Sequence, residues 1–147
     1  CKLHFIDLFC DSPFIPNDDA APAQVYPFDK LLQFPAHTLF DICLFWDLFN
    51  FLDGAAINAF LTALRPHLKE KSMAHAFSVH NIRTPQGSHL YGINQRDTLS
   101  FRNRRAALPG YAPHSQVELK QLLYCFRLER SVLLPDSRLE LLLQARL

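Results

Sequence analysis

Glycine is scarce in this chain of 147 residues. The four present (Gly54, Gly87, Gly92 and Gly110) are scattered, and none follows a strand-like run in a G-x-G pattern. The sequence therefore contains no phosphate-cradling loop and no G-x-S-x-G nucleophile elbow. Cysteine is equally thin. Cys1, Cys10, Cys43 and Cys125 form no C-x-x-C pair and no Cys/His cluster, which excludes a zinc ribbon and argues against a disulfide scaffold. Cys43 lies in an apolar run and reads as a reduced core thiol, so a cytoplasmic location is expected. Charge of one sign is not in excess: 15 Lys and Arg face 14 Asp and Glu, for a net +1. No concentrated positive field exists to hold nucleic acid or an anionic membrane. Long apolar runs are missing as well. The most apolar stretch, Phe40 to Leu52, is broken by Asp41, Asp47 and Asn50, so no membrane span is expected. The first residues do not show the basic-then-apolar order of a signal peptide.

What is present fits one globular domain. Apolar residues make up 49% and charged residues 20%, a balance that can build a core. Thirteen phenylalanines make that core aromatic. The chain opens on Cys1 rather than Met and enters a strand-like run at once. A mature bacterial lipoprotein would also open on Cys, but with a polar tether first. A fragment of a longer protein is the expectation.

Lys2 to Leu8 (KLHFIDL) reads as a buried strand with Asp7 near its end. Three prolines and several small polar residues make Cys10 to Ala23 a loop. Gln24 to Phe28 is a second strand candidate, and Asp29 to Gln33 a helical turn. Leu39 to Trp46 is the strongest strand, apolar on both faces as in a central parallel strand covered by helices. From Asp53 or Gly54, Ile57, Phe60, Leu61, Leu64 and Leu68 give one apolar helical stripe, which Pro66 should end near Arg65. Ser72 to Val79 is a further strand. Asn81 to Ala112 is a polar excursion, extended in part between Leu90 and Phe101. Ser115 and Glu118 form a capping box for a short helix. Phe126 to Leu134 and Arg138 to Ala145, joined by Pro135-Asp136-Ser137, read as an antiparallel hairpin. The order predicts an α/β fold with a mostly parallel sheet and a C-terminal antiparallel hairpin.

The stretch FDICLFWD (Phe40 to Asp47), AINAFLTALRPHL (Ala56 to Leu68) and SMAHAFSV (Ser72 to Val79) resembles the middle of a class I S-adenosylmethionine-dependent methyltransferase. In that family an "FD-apolar-apolar" fourth strand leads to a helix closing in "L-R-P-x-L" and then to a fifth strand. FRLERSVLLPDSRLELLLQAR (Phe126 to Arg146) looks like its sixth and seventh strands, KLHFIDL like the second, and Gln24 to Asp29 like the third. The glycine-rich motif and the first strand of that Rossmann-like sheet have no counterpart here. The resemblance implies that residues 1–147 are a single incomplete domain, inactive alone.

The resemblance also nominates residues. Asp7, at a strand's carboxyl end, would accept hydrogen bonds from the cofactor's ribose; an ordinary strand-end carboxylate is the plain alternative. Asp29, beside Phe28, would face the adenine amino group, or merely cap a helix. Asp47 would line the methyl-transfer crevice as the catalytic candidate, with Phe45 and Trp46 packing near the cofactor; a cap and core aromatics are the alternatives. His80, His89 and His114 could each serve as a base, but read more simply as solvent-exposed loop residues. Arg102, Arg104 and Arg105, the one basic cluster, could steer an anionic substrate, but read more simply as a solvated turn. No metal site is expected. The expected function is methyl transfer from S-adenosylmethionine to a small-molecule acceptor, with Asn81 to Ala112 shaping the substrate site. A catalytically silent interaction domain and another nucleotide-binding α/β domain, such as a dehydrogenase, remain the alternatives.

Overall fold

A computed structural model describes residues 2–9, 27–83, 85–108 and 110–147. Helix α1 (Phe28–Leu31) precedes strand β1 (Phe40–Trp46). A 3-10 turn, Leu48–Asn50, leads to α2 (Gly54–Leu64) and then β2 (Leu68–Val79). Strands β3 (His89–Gln95) and β4 (Thr98–Asn103) follow, then α3 (Gln116–Leu122), β5 (Phe126–Leu133) and β6 (Arg138–Ala145).

The main sheet has the order β1-β2-β6-β5. β1 and β2 are parallel, and β6 is antiparallel to both β2 and β5. Three of the four strands thus run in one direction, and the C-terminal hairpin forms one edge. The fold is α/β, mostly parallel in strand direction, with an antiparallel hairpin at its end. Strands β3 and β4 form a separate two-stranded ribbon.

Helix α2 begins where Asp53 Oδ1 accepts the Ala56 N–H at 2.7 Å, meeting one of the unpaired donors of the first turn. It ends at Leu64, and Pro66 sits in the 3-10 turn Arg65–His67 that follows. Its stripe of Ala56, Ile57, Phe60, Leu61 and Leu64 is buried against the sheet face carrying Cys43, Phe45, Ala74, Ala76, Leu141 and Leu143. Phe60 meets Phe45 at 5.7 Å and Phe49 at 6.2 Å, edge to face, the arrangement ring quadrupoles prefer. Cys43 and Cys125 are buried free thiols, and burial pushes them up to about 12 and about 11. Ser115 caps α3, its Oγ accepting the Glu118 N–H at 3.2 Å.

Three expectations need correction. KLHFIDL is not a strand: residues 2–7 are irregular, and Leu3 and Phe5 are exposed. A strand needs a ladder partner on at least one side, and among the described residues none lies beside this segment. β1 is not a central strand covered on both faces. It stands at the edge of the described sheet, with Cys43 and Phe45 buried but Ile42 65% and Leu44 41% exposed. Finally, Phe28 opens a helix rather than closing a strand; Gln24 to Tyr26 lie outside the described residues.

β2 also starts earlier than expected, at Leu68. Ser72 holds the irregular entry: its Oγ accepts the Lys69 N–H at 2.7 Å and donates to the Phe40 carbonyl at 2.6 Å.

Candidate functional site at the carboxyl rim

The register places a cluster at one end of the sheet. Trp46 ends β1, Val79 ends the parallel β2, and Val79 lies opposite Arg138, the first residue of the antiparallel β6. The carboxyl ends of two parallel strands therefore share a rim with Arg138. In open α/β sheets such a rim is where loops diverge and ligands bind.

Trp46 turns the chain there with φ +50°. A bulky side chain in the left-handed region is an outlier and costs on the order of 1–3 kcal/mol. Asp47 follows and is buried. Its Oδ2 accepts the Tyr91 hydroxyl at 2.6 Å and lies 3.5 Å from His89 Nδ1. Arg138 Nη1 donates to the same Tyr91 oxygen at 2.8 Å, while its other nitrogens bind Asp136 at 2.8 and 2.7 Å. Tyr91 is stacked on Trp46, centroids 5.0 Å apart and planes 9° from parallel, and on Phe77 at 5.4 Å. The Arg138 guanidinium caps Phe77 at 4.5 Å and Phe101 at 5.3 Å, a cation–π contact from each side.

These contacts set the charges. Burial raises the Asp47 carboxyl above its ordinary value, although Tyr91, His89 and Arg138 pull it the other way. Burial and the adjoining Asp47 also raise Tyr91. Burial alone would lower Arg138, but its hydrogen bonds to Asp136 and the charges of Tyr91, Asp136 and Asp47 hold it raised. Arg138 in turn lowers the Asp136 carboxyl. The arrangement holds one carboxylate and one guanidinium on either side of a phenol oxygen. It can accept a proton from a hydroxyl group and stabilise the charge left behind.

The nominated residues do not all converge on this rim. Asp47 and Trp46 form it. Asp7 binds the Phe9 N–H at 3.1 Å and faces Arg104 at 3.5 Å. Phe9 packs on Phe51 at 5.7 Å, just past the turn that leaves β1. Phe45 points to the opposite face, against Phe49 and Phe126. Phe28 is a core residue edge-on to Phe60 at 5.5 Å. Asp29 is exposed in the first turn of α1, whose N-cap Pro27 makes no side-chain bond. These residues alone do not form a cradle for S-adenosylmethionine.

Two of the histidines are not exposed loop residues. His89 is largely buried beside Asp47. His114 is buried, its Nε2 2.8 Å from the Leu52 carbonyl, and it ties the loop after β1 to the start of α3. Arg104 is likewise not solvated: it lies over the Phe9 ring at 5.7 Å. Among the described residues, no group of three or more His, Cys, Asp or Glu could hold a metal ion, and no helix is long and apolar enough to cross a membrane. Sequence reasoning missed Tyr91 and Arg138. Their only signal is alternation within β3 and β6, which puts each on the same side as an aromatic partner.

No family model matches the chain, and no curated protein matches it. Solved structures give distant likenesses. The pyocyanin biosynthetic protein PhzM is 18% identical, with a TM-score of 0.48 over 74% of this chain and 31% of its own. An S-adenosylmethionine-dependent methyltransferase from Clostridium acetobutylicum is 13% identical, with a TM-score of 0.49 over 78% and 61%. The glycopeptide N-methyltransferase MtfA, in complex with S-adenosyl-L-homocysteine, is 10% identical, with a TM-score of 0.47 over 77% and 57%. The chain spans less than two thirds of each of these structures, and the fold assignment above rests on its own strand order.

Proposed function

We propose that the chain is part of a class I S-adenosylmethionine-dependent methyltransferase domain acting on a small-molecule acceptor, and that it contributes the acceptor side of the site. The observation that carries this reading is Asp47. The motif FDICLFWD folds as a strand running into a buried carboxylate at the carboxyl rim, followed by the LRP-terminated helix and a parallel strand. The outer edge of β1, unpaired among the described residues, is where the family's first strand would pair. The cofactor, when bound, supplies an electrophilic methyl group. This chain's residues position an acceptor hydroxyl against Asp47 and Arg138 and hold the proton that leaves it. Asp7 is the residue proposed to reach the cofactor.

The test uses the complete protein. S-adenosylmethionine should bind by calorimetry. Asp7→Ala should weaken it by about 1.5–3 kcal/mol, the range for hydrogen bonds to a charged group, whereas Asp47→Ala should lower turnover more than binding. Cofactor binding that Asp7→Ala leaves unchanged would overturn the assignment of Asp7. An intact protein that binds no cofactor would favour a silent interaction domain instead.

A further inference from the structure

We propose that Tyr91 is a built-in plug in a phenol-binding pocket, carried on a lid formed by the β3–β4 ribbon. A planar phenolic ligand would displace it. The claim that this pocket serves catalysis rests on the reading above; the displacement itself does not.

The geometry at Tyr91 is that of a bound ligand. Its ring lies flat on Trp46, its hydroxyl donates to Asp47 Oδ2 at 2.6 Å, and the same oxygen accepts from Arg138 at 2.8 Å. A stacking surface, an acceptor and a donor are the three elements that recognise a phenol; Trp46 and Arg138 belong to the main sheet, and Asp47 directly follows β1. The group they hold comes from outside it, on a ribbon that shares no ladder with that sheet.

The ribbon is seated at one end only. His89, Tyr91 and Phe101 lie on one face, Tyr91 opposite Phe101, and these make the contacts to Asp47, Trp46 and Arg138. Towards the tip, the same face continues as Ile93 and Leu99, both exposed. The face that carries Tyr91 thus continues as exposed apolar surface, suited to fold over an apolar ligand body. The seat is also loosely held: His89 Nδ1 is buried, and Asp47 Oδ2 lies 3.5 Å from it, at the outer limit of a hydrogen bond. Beneath it the strained Trp46 turn presents both the ring and the carboxylate.

Hydrogen exchange, read peptide by peptide on the full-length protein, tests this with p-cresol as probe and toluene as the control lacking a hydroxyl. Without ligand, amides of residues 89–103 should exchange through an opening that leaves β2 and β6 protected. With millimolar p-cresol, ribbon exchange should rise while the segment around Trp46 and Asp47 becomes more protected; toluene should do neither. Tyr91→Phe, which keeps the ring and removes the hydroxyl, should speed ribbon exchange about tenfold, the scale of one net hydrogen bond. Ribbon amides that exchange only together with β2 and β6 would overturn the lid. A p-cresol response no different from that of toluene would overturn the phenol pocket. Neither outcome depends on whether S-adenosylmethionine binds.

Discussion

Between α2 and the sheet, Phe45, Phe49 and Phe60 meet edge to face in a layer without charges. At the rim, Trp46, Phe77 and Tyr91 lie nearly parallel and are threaded by Asp47 and Arg138. Both regions are aromatic, the first buried throughout and the second half-buried at Trp46 and Tyr91. In the first, stability comes from apolar area and close packing, so any well-shaped apolar residue serves. In the second, Asp47, Tyr91 and Arg138 are stable only because each is answered by a specific partner. The first region forms a scaffold. The second keeps hydrogen-bonding capacity in store, held by groups that a ligand could replace.

The largest expected effect lies in the packed layer. Phe49 is fully buried, and Phe49→Ala should cost about 3–5 kcal/mol by denaturant titration, the range for deleting a buried aromatic. A loss below about 1 kcal/mol would mean that the layer collapses around the gap, and that it is less tightly packed than the rim. Tyr91→Phe should cost about 1–3 kcal/mol, because the Asp47 carboxylate and Arg138 each lose a partner. If the cost were nil, the rim would be held by stacking alone and the contrast would disappear.

A third prediction concerns slope. Because the Asp47 carboxyl is raised in the fold, the folded state prefers it neutral. Its contribution is fully present below the ordinary carboxylate value and is lost as pH rises through the raised one. Asp136 is lowered, so its contribution is present above the ordinary value and is lost as pH falls through the lowered one. Asp47→Asn should abolish only the first trend, and unfolding curves of parent and variant across about pH 3 to 7 would separate the two. The smallest effect belongs to the open face of the sheet: Ile42→Thr should stay within about 0.5 kcal/mol, as exposed substitutions do. A large loss would show that Ile42 is covered in the complete protein.

The same contrast explains what could be read from the sequence. The stripe of α2, the Ser115 cap and the Pro135–Ser137 hairpin depend on local periodicity and turn chemistry, and each stands where expected. So does Asp47 at the end of β1. KLHFIDL has the composition of a strand, but composition cannot supply a neighbour to pair with. The exposure of Ile42 and Leu44 has a related cause, since an apolar strand reads alike whether one face is packed or both. The Tyr91–Arg138 pair is not legible in the sequence because the two are 47 residues apart and lie on different sheets, so that no strand register predicts their meeting. His114 reads as a loop residue because nothing near it in the chain announces the Leu52 carbonyl it finds.

Cys43 and Cys125 have a use beyond packing. A thiol reacts with a disulfide reagent as its thiolate. With values pushed up to about 12 and about 11, both are almost wholly protonated at neutral pH, besides being out of reach. They sit on the helix-covered side, one on β1 and one just before β5. Any modification of either one must therefore wait for the core they share to open, while a fluctuation of the ribbon leaves both silent. The rate at which these two sulfurs label is a clock for the scaffold alone.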